Sequence, residues 1–164
     1  MNYLLIGKPN VGKSSIYNIL TENEKNIIHF ESGTTRDWHI DKIFGTNSYI
    51  YDTPGVLVND NNKKKIITND FTTIIKDKIN VFLYVVDFKD NFNENDNFDI
   101  KKLRNYNKKI YLIVNKFDNH KINPNNEFEK YGIQDIFFLS CSHMFGFDIL
   151  LKSLDDSNKF KKNN

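Results

Sequence analysis

At 164 residues, with 23 basic against 21 acidic side chains and a net charge of +2, the chain has room for one domain with a real core; it lacks the strong basic field of a DNA-binding surface, so DNA is not an expected partner. A single cysteine, Cys141, excludes an internal disulfide and cannot supply a zinc site, which fits a reducing, cytoplasmic setting. The longest apolar run, Val81 to Val86, is far too short to span a bilayer, and the N-terminus begins a strand instead of a signal peptide, so no membrane partner is expected.

The apolar run Tyr3-Leu4-Leu5-Ile6 has the character of a buried strand, and Ser15 to Leu20 that of a helix. Between them, Gly7 to Ser14 reads G-K-P-N-V-G-K-S, which has the spacing of a phosphate-binding loop in the strand-loop-helix context such a loop requires. Gly7 and Gly12 let the backbone curl so that successive N–H groups face a polyphosphate, and the helix adds its positive N-terminal end. Lys13 is expected to reach the β and γ phosphates and the Ser14 hydroxyl to ligate Mg²⁺, with Asn10, Val11 and Ser15 completing the nucleotide contacts. The bland alternative is a mere strand-to-helix turn.

Thr21 to Asp37 shows no sustained period and ends in Ser32-Gly33-Thr34-Thr35-Arg36-Asp37, so it reads as a long functional loop. Strands are expected over His39 to Phe44 and Ser48 to Tyr51, paired antiparallel about the turn Gly45-Thr46-Asn47. The second runs into Asp52-Thr53-Pro54-Gly55, where a carboxylate at a strand end can hold Mg²⁺ and the Gly55 amide can meet the γ phosphate.

An amphipathic segment follows over Ile66 to Ile79, then a strand over Val81 to Val86, a helix from Asn95 to Tyr106 and a strand over Lys109 to Val114. A short helix near Asn125 to Tyr131, a strand over Ile136 to Leu139 and a helix from Phe147 to Leu154 complete the chain. Alternation of this kind implies an α/β fold, here a six-stranded mostly parallel sheet with one antiparallel strand and helices on both faces. Ligands in such sheets bind at the carboxyl ends of the strands.

Two further motifs fall at strand ends. In Asn115-Lys116-Phe117-Asp118, Asp118 can accept the ring N–H and exocyclic amine of guanine, a donor pair that adenine lacks, while Asn115 braces the loop and Lys116 lies over the base. Ser140-Cys141-Ser142-His143 offers a loop able to meet the base through backbone amides and Ser140. Asparagine occurs 25 times and alanine never, but the asparagines are dispersed and form no low-complexity tract.

With all five nucleotide motifs in order from Gly7 to about Gly146, the chain resembles a GTPase of the translation-factor class with a P-loop NTPase fold. Pro9-Asn10, Thr34 to Asp37 and Asp52 to Gly55 resemble its Era-like branch, which includes the Der (EngA), Era and MnmE groups. Thr35-Arg36-Asp37, Leu103 to Lys108, and Tyr131-Gly132 leading to Ser140, His143 and Gly146 resemble most the N-terminal GTPase domain of the Der group. Asp37 speaks against Era and Pro54 against MnmE.

The resemblance implies hydrolysis of GTP to GDP and phosphate in the service of large-subunit ribosome assembly, with ribosomal RNA met through parts absent from this chain. It implies that Thr35 closes on Mg²⁺, which Ser14 and Asp52 also serve, and that Asn10 helps hold K⁺ beside the phosphates, where the cation stands in for an arginine finger. Lys13, Thr35 and Asn10 are then the catalytic set. Val56 stands where Ras-like enzymes carry a water-positioning glutamine, so hydrolysis is expected to be slow and stimulated by potassium.

Three other readings stand beside this one: a GTP-regulated binding switch with negligible turnover alone, an Era-type or MnmE-type GTPase domain, and an ATP-using P-loop kinase. His29, His39, His120 and His143 share no metal spacing, and Trp38 with the phenylalanines reads as packing. One GTPase domain is expected over 1–155, with 156–164 a polar tail or the start of a linker.

Overall fold

The computed structural model describes residues 1–21, 39–52, 69–119, 121–124 and 126–156. Its strands are β1 (Asn2–Gly7), β2 (His39–Lys42), β3 (Tyr49–Asp52), β4 (Val81–Asp87), β5 (Lys109–Asn115) and β6 (Ile136–Phe138). They form one sheet in the order β2-β3-β1-β4-β5-β6, parallel throughout except for β2, which runs antiparallel to β3. The helices are α1 (Lys13–Thr21), α2 (Asn69–Lys78), α3 (Glu94–Arg104) and α4 (Phe147–Asp156).

The uninterrupted apolar character of β1, β4 and β5 follows from burial on both faces. Along β1, Tyr3 and Leu5 face a core with Ile16 and Leu20 of α1 and Leu150 and Leu154 of α4. Leu4 and Ile6 face the opposite core with Ile75 of α2 and Ile100 and Leu103 of α3. The same alternation in β4 divides Leu83 and Val85 from Phe82 and Tyr84.

Helix α3 begins on Asn93, whose side chain accepts from the N–H groups of Asn95 and Asp96, so the start expected at Asn95 moves back to Glu94. The short helix expected near Asn125 is a 3-10 turn over Asn126–Tyr131, anchored by buried Phe128 and Tyr131. Strand β2 ends two residues early because Ile43 turns into the core and the Phe44 N–H donates to Leu20 C=O at 2.8 Å. Residues 22–38, 53–68 and 157–164 lie outside the described residues, and with them Thr35, Gly55, Val56, Trp38, His29 and the tail; so does His120. Among the described residues no helix is long and apolar enough to cross a membrane.

Pair register sets where function can sit. Leu5 lies opposite Asp52, Gly7 opposite Val85, Asp87 opposite Asn115, and Val114 opposite Phe138. The parallel strands therefore end on one edge of the sheet, and the phosphate loop, Asp52, Asn115 to Asp118 and Ser140 to His143 lie along it.

Candidate nucleotide-binding site

The octet Gly7 to Ser14 forms the connection from β1 into α1, whose first turn closes with Ile16 N–H donating to Gly12 C=O at 3.0 Å. Gly12 has φ +97°, and a Cβ there would lie 2.2 Å from Asn115 Nδ2. At Gly7 a Cβ would lie 2.4 Å from the Val85 carbonyl oxygen of β4. Both positions therefore demand glycine for space as well as conformation. Val11 is buried in the α1/α4 core and pins the middle of the loop.

Lys13 arches back over its own loop, donating to the carbonyls of Gly7 at 2.9 Å and Lys8 at 2.6 Å. Partial burial pushes its ammonium below the usual lysine range, and the charge of Asp52 opposes that shift. Asp52 at the end of β3 thus lies within electrostatic reach of the lysine. Ser14 and Ser15 are exposed on the first turn of α1.

The second half of the site is locked to the first. Asn115, 2% exposed, donates from Nδ2 to the Val11 carbonyl at 2.9 Å. Lys116 Nζ donates to the Asn10 carbonyl at 2.7 Å and pairs with Asp87 at 2.7 Å. Asn10 and Lys116 both adopt left-handed backbone, with φ of +66° and +62°, so two strained residues meet across one bond. The lysine stem spans the two loops, and its ammonium is engaged by oxygen acceptors at the phosphate loop.

Between Lys116 and Asp118, Phe117 is buried against Phe88, Phe138 and Phe145, with ring centroids 4.9, 5.3 and 5.9 Å away. Its N–H donates to Leu139 C=O at 2.9 Å, and Leu139 N–H donates to Val114 C=O at 2.8 Å. This zip carries the loop after β6 against the loop after β5. Asp118 Oδ1 accepts from Ser140 Oγ at 2.6 Å and Ser142 Oγ at 3.0 Å, with His143 Nδ1 3.6 Å away. The Ser140 hydroxyl, followed by that of Ser142, holds the Asp118 carboxyl below the usual carboxylate range.

Cys141 is half-buried, and its thiol donates to Asn115 Oδ1 at 3.4 Å, fixing the amide that holds Val11. Burial pushes that thiol upward.

Two participants, Asp87 and Asp96, lie outside every motif read in the sequence. Asp87, at the end of β4, pairs with Lys116; only its place one residue past the apolar run hints at a role. Lys8 pairs with Asp96 of α3 at 2.9 Å, and the buried Asp96 also accepts from the Tyr84 hydroxyl at 3.0 Å. This ties the phosphate loop to the opposite face of the sheet. Among the described residues no cluster of three or more histidine, cysteine or acidic side chains could hold a metal, so His39 and His143 join no such group.

A strand-loop-helix with a glycine-lined phosphate loop, braced from the next strands by an asparagine and a carboxylate loop, defines a P-loop G domain. The fold is shared with the G domain of the T. maritima FeoB iron transporter, at TM-score 0.65 and 21% identity over 93% of this chain and 94% of that one. Residues 2–116 match the family model described as "50S ribosome-binding GTPase", and the chain belongs to that GTPase family.

Among the relatives of this chain are proteins named GTPase Der. That of Mycoplasma capricolum subsp. capricolum is 33% identical over 157 residues, covering 90% of this chain and 34% of its own length. That of Campylobacter jejuni subsp. jejuni (strain 81-176) is 35% identical over 155 residues, covering 93% and 33%. The chain spans about a third of the length of these relatives.

Proposed function

We propose that this chain binds GTP and hydrolyses it to GDP and phosphate, slowly on its own, as the nucleotide-responsive part of a ribosome-assembly factor acting in the cytoplasm on the large subunit. The observation that carries the reading is the hydrogen bond from Asn115 to Val11, which joins the phosphate loop to the loop bearing Asp118. A site so joined reads base and phosphates of one nucleotide together. Residues 1–155 would make up the GTPase domain, and ribosomal RNA would be met through parts outside this chain.

Lys13 leaves its loop carbonyls for the β and γ phosphates, and the loop amides of Asn10, Val11 and Gly12 with those of Lys13, Ser14 and Ser15 complete the cradle. The oxygen donors Ser14 and Asp52, with Thr35, suit a hard cation such as Mg²⁺, whose chemistry when bound is to neutralise charge on the phosphates. Gly55 would meet the γ phosphate. Asn10, exposed on the loop, would help hold K⁺ beside the phosphates. Asp118 would accept from guanine, Lys116 cover the base, and Ser140, Cys141 and Ser142 supply the loop around it. With Val56 unable to orient water, no side chain is assigned as general base.

Single-turnover hydrolysis in potassium against sodium tests the enzyme: a rate that rises in potassium and falls with Asn10→Ala supports it. Tight GTP binding with no turnover in either salt supports a pure switch. If ATP competes with GTP as well as GDP does, the guanine assignment fails. Co-sedimentation with large ribosomal subunits in each nucleotide state tests the partner.

A further inference from the structure

One oxygen of Asp118 is crowded. Oδ1 accepts from Ser140 Oγ at 2.6 Å and from Ser142 Oγ at 3.0 Å, and among the described residues no donor is placed on Oδ2. A carboxylate oxygen offers two lone pairs, so two hydroxyls fill Oδ1. Guanine presents two adjacent N–H donors, and bidentate reading assigns one to each carboxylate oxygen. Oδ2 can take the first, but Oδ1 can take the second only if a hydroxyl leaves.

The two serines differ in their freedom to leave. Ser140 is fully buried, and its backbone N–H and C=O pair with Phe145 at 3.1 and 3.0 Å, so its hydroxyl is built in. Its Oγ also accepts the His143 N–H at 3.2 Å. Ser142 is exposed, and His143 Nδ1, which also lies 3.1 Å from Ser140 Oγ, is 3.1 Å from the Ser142 Oγ and accepts from it in the tautomer protonated on Nε2. Loss of the Asp118 bond therefore strands no buried group.

We infer that Ser142 is a specificity-determining residue whose hydroxyl occupies the acceptor site of Asp118 that the second guanine N–H requires, and turns to His143 when guanine is read. The inference rests on Asp118 being the guanine acceptor. Ser140 is the fixed brace of the carboxylate, and Ser142 is a removable competitor. Guanine must displace it, so the wild-type affinity for guanine is held below what Asp118 alone would give.

Equilibrium binding of GDP, IDP and ADP to the full chain, to Ser142→Ala and to Ser142→Thr tests this, with Asp118→Asn as the test of the underlying reading. Ser142→Ala is expected to bind GDP about three- to tenfold tighter, the range of a modest hydrogen bond. IDP lacks the exocyclic amine and needs one carboxylate oxygen, so its affinity moves much less and the GDP:IDP preference rises. Ser142→Thr restores the hydroxyl and brings the preference back toward the parent.

A GDP:IDP preference unchanged or lowered in Ser142→Ala overturns the inference. If the parent prefers GDP to ADP and Asp118→Asn turns toward XDP while Ser142→Ala leaves the ratio alone, Ser142 alone is refuted. If the parent binds GDP and ADP alike and Asp118→Asn gains no XDP, the guanine reading falls and Ser142 with it. Because Ser142 is exposed, Ser142→Ala is expected to melt with the parent, which separates a lost competitor from a lost fold.

Discussion

Asn115 and Val11, 104 positions apart, are joined by a 2.9 Å hydrogen bond from the side-chain amide to the backbone carbonyl, and the residue after Val11 is a glycine whose missing Cβ makes room for that same amide. Loop and brace are fitted to one another. Replacing Gly12 by alanine drives a methyl to 2.2 Å from Asn115 Nδ2 and forces a left-handed φ of +97° on a residue with a side chain. Gly12→Ala is expected to abolish GDP binding in calorimetry. Adding Asn115→Ala relieves the clash and leaves the backbone strain, of about 1–3 kcal/mol, so the double variant recovers part of the thermal stability.

Asn115→Ala alone acts in the opposite sense, by leaving the Val11 carbonyl and the Cys141 thiol without the amide they bond. Stranding one such acceptor costs about 1–3 kcal/mol, which urea denaturation reads as a lower midpoint at unchanged slope. The fall in GDP affinity is expected to exceed the fall in stability, because the loop carrying Asp118 loses its register against the phosphate loop. Equal falls would mean that the amide serves the fold only.

The fold was legible because both-face burial makes β1, β4 and β5 continuous apolar runs, and because the motifs sit at strand ends. The antiparallel β2–β3 pair was legible from its turn, with Thr46 Oγ1 donating to Ile43 C=O and accepting from Ser48 N–H. What the sequence hid were pairings between residues far apart. Asp87 looks like any polar residue closing a strand until β4 and β5 place it beside Lys116, and Asp96 like a helix-face charge until Lys8 reaches it across 88 positions. The short helix at Asn126–Tyr131 is of the 3-10 kind, which the sequence leaves open because the i, i+3 spacing of Phe128 and Tyr131 suits either helix type.

The Lys8–Asp96–Tyr84 group gives a third expectation. Asp96 is buried, and burial together with the Asp96 charge drives the Tyr84 phenol above its usual range, so the tyrosine stays a donor to that carboxylate. Lys8→Met leaves Asp96 with one neutral donor in a low-dielectric setting. Loss of one charged hydrogen-bond partner is expected to lower stability by about 1.5–3 kcal/mol in urea denaturation. A double-mutant cycle with Asp96→Asn measures the coupling, and a value near zero would refute the pair.

Cys141 offers a chemical probe of the base loop. Burial raises its thiol while the bond to Asn115 Oδ1 opposes the shift, so less thiolate is present at neutral pH than for an unperturbed cysteine. Modification by a disulfide reagent is expected to be slower than for a free thiol at pH 7.5, and slower still with GDP bound. Asn115→Ala removes the bond that opposes the shift, so the thiol pKa, read from the pH dependence of the modification rate, is expected to rise further; an unchanged pKa would sever thiol from amide.

The acid limb of GDP binding follows from the donors on Asp118. The Ser140 hydroxyl, then that of Ser142, depresses its pKa, with His143 adding a smaller effect of the same sign. A depressed carboxylate keeps its charge as pH falls through the ordinary carboxylate range and loses it only on falling through the lower, folded value. GDP affinity is therefore expected to hold from pH 7 through pH 5 as far as Asp118 is concerned. Replacing both Ser140 and Ser142 by alanine moves the acid limb to higher pH, toward the unperturbed carboxylate, whereas Ser142→Ala alone moves it less because the shorter bond remains. Binding titrations against pH in the three proteins give that order; a limb that shifts equally in the single and double variants would remove Ser140 from the principal role.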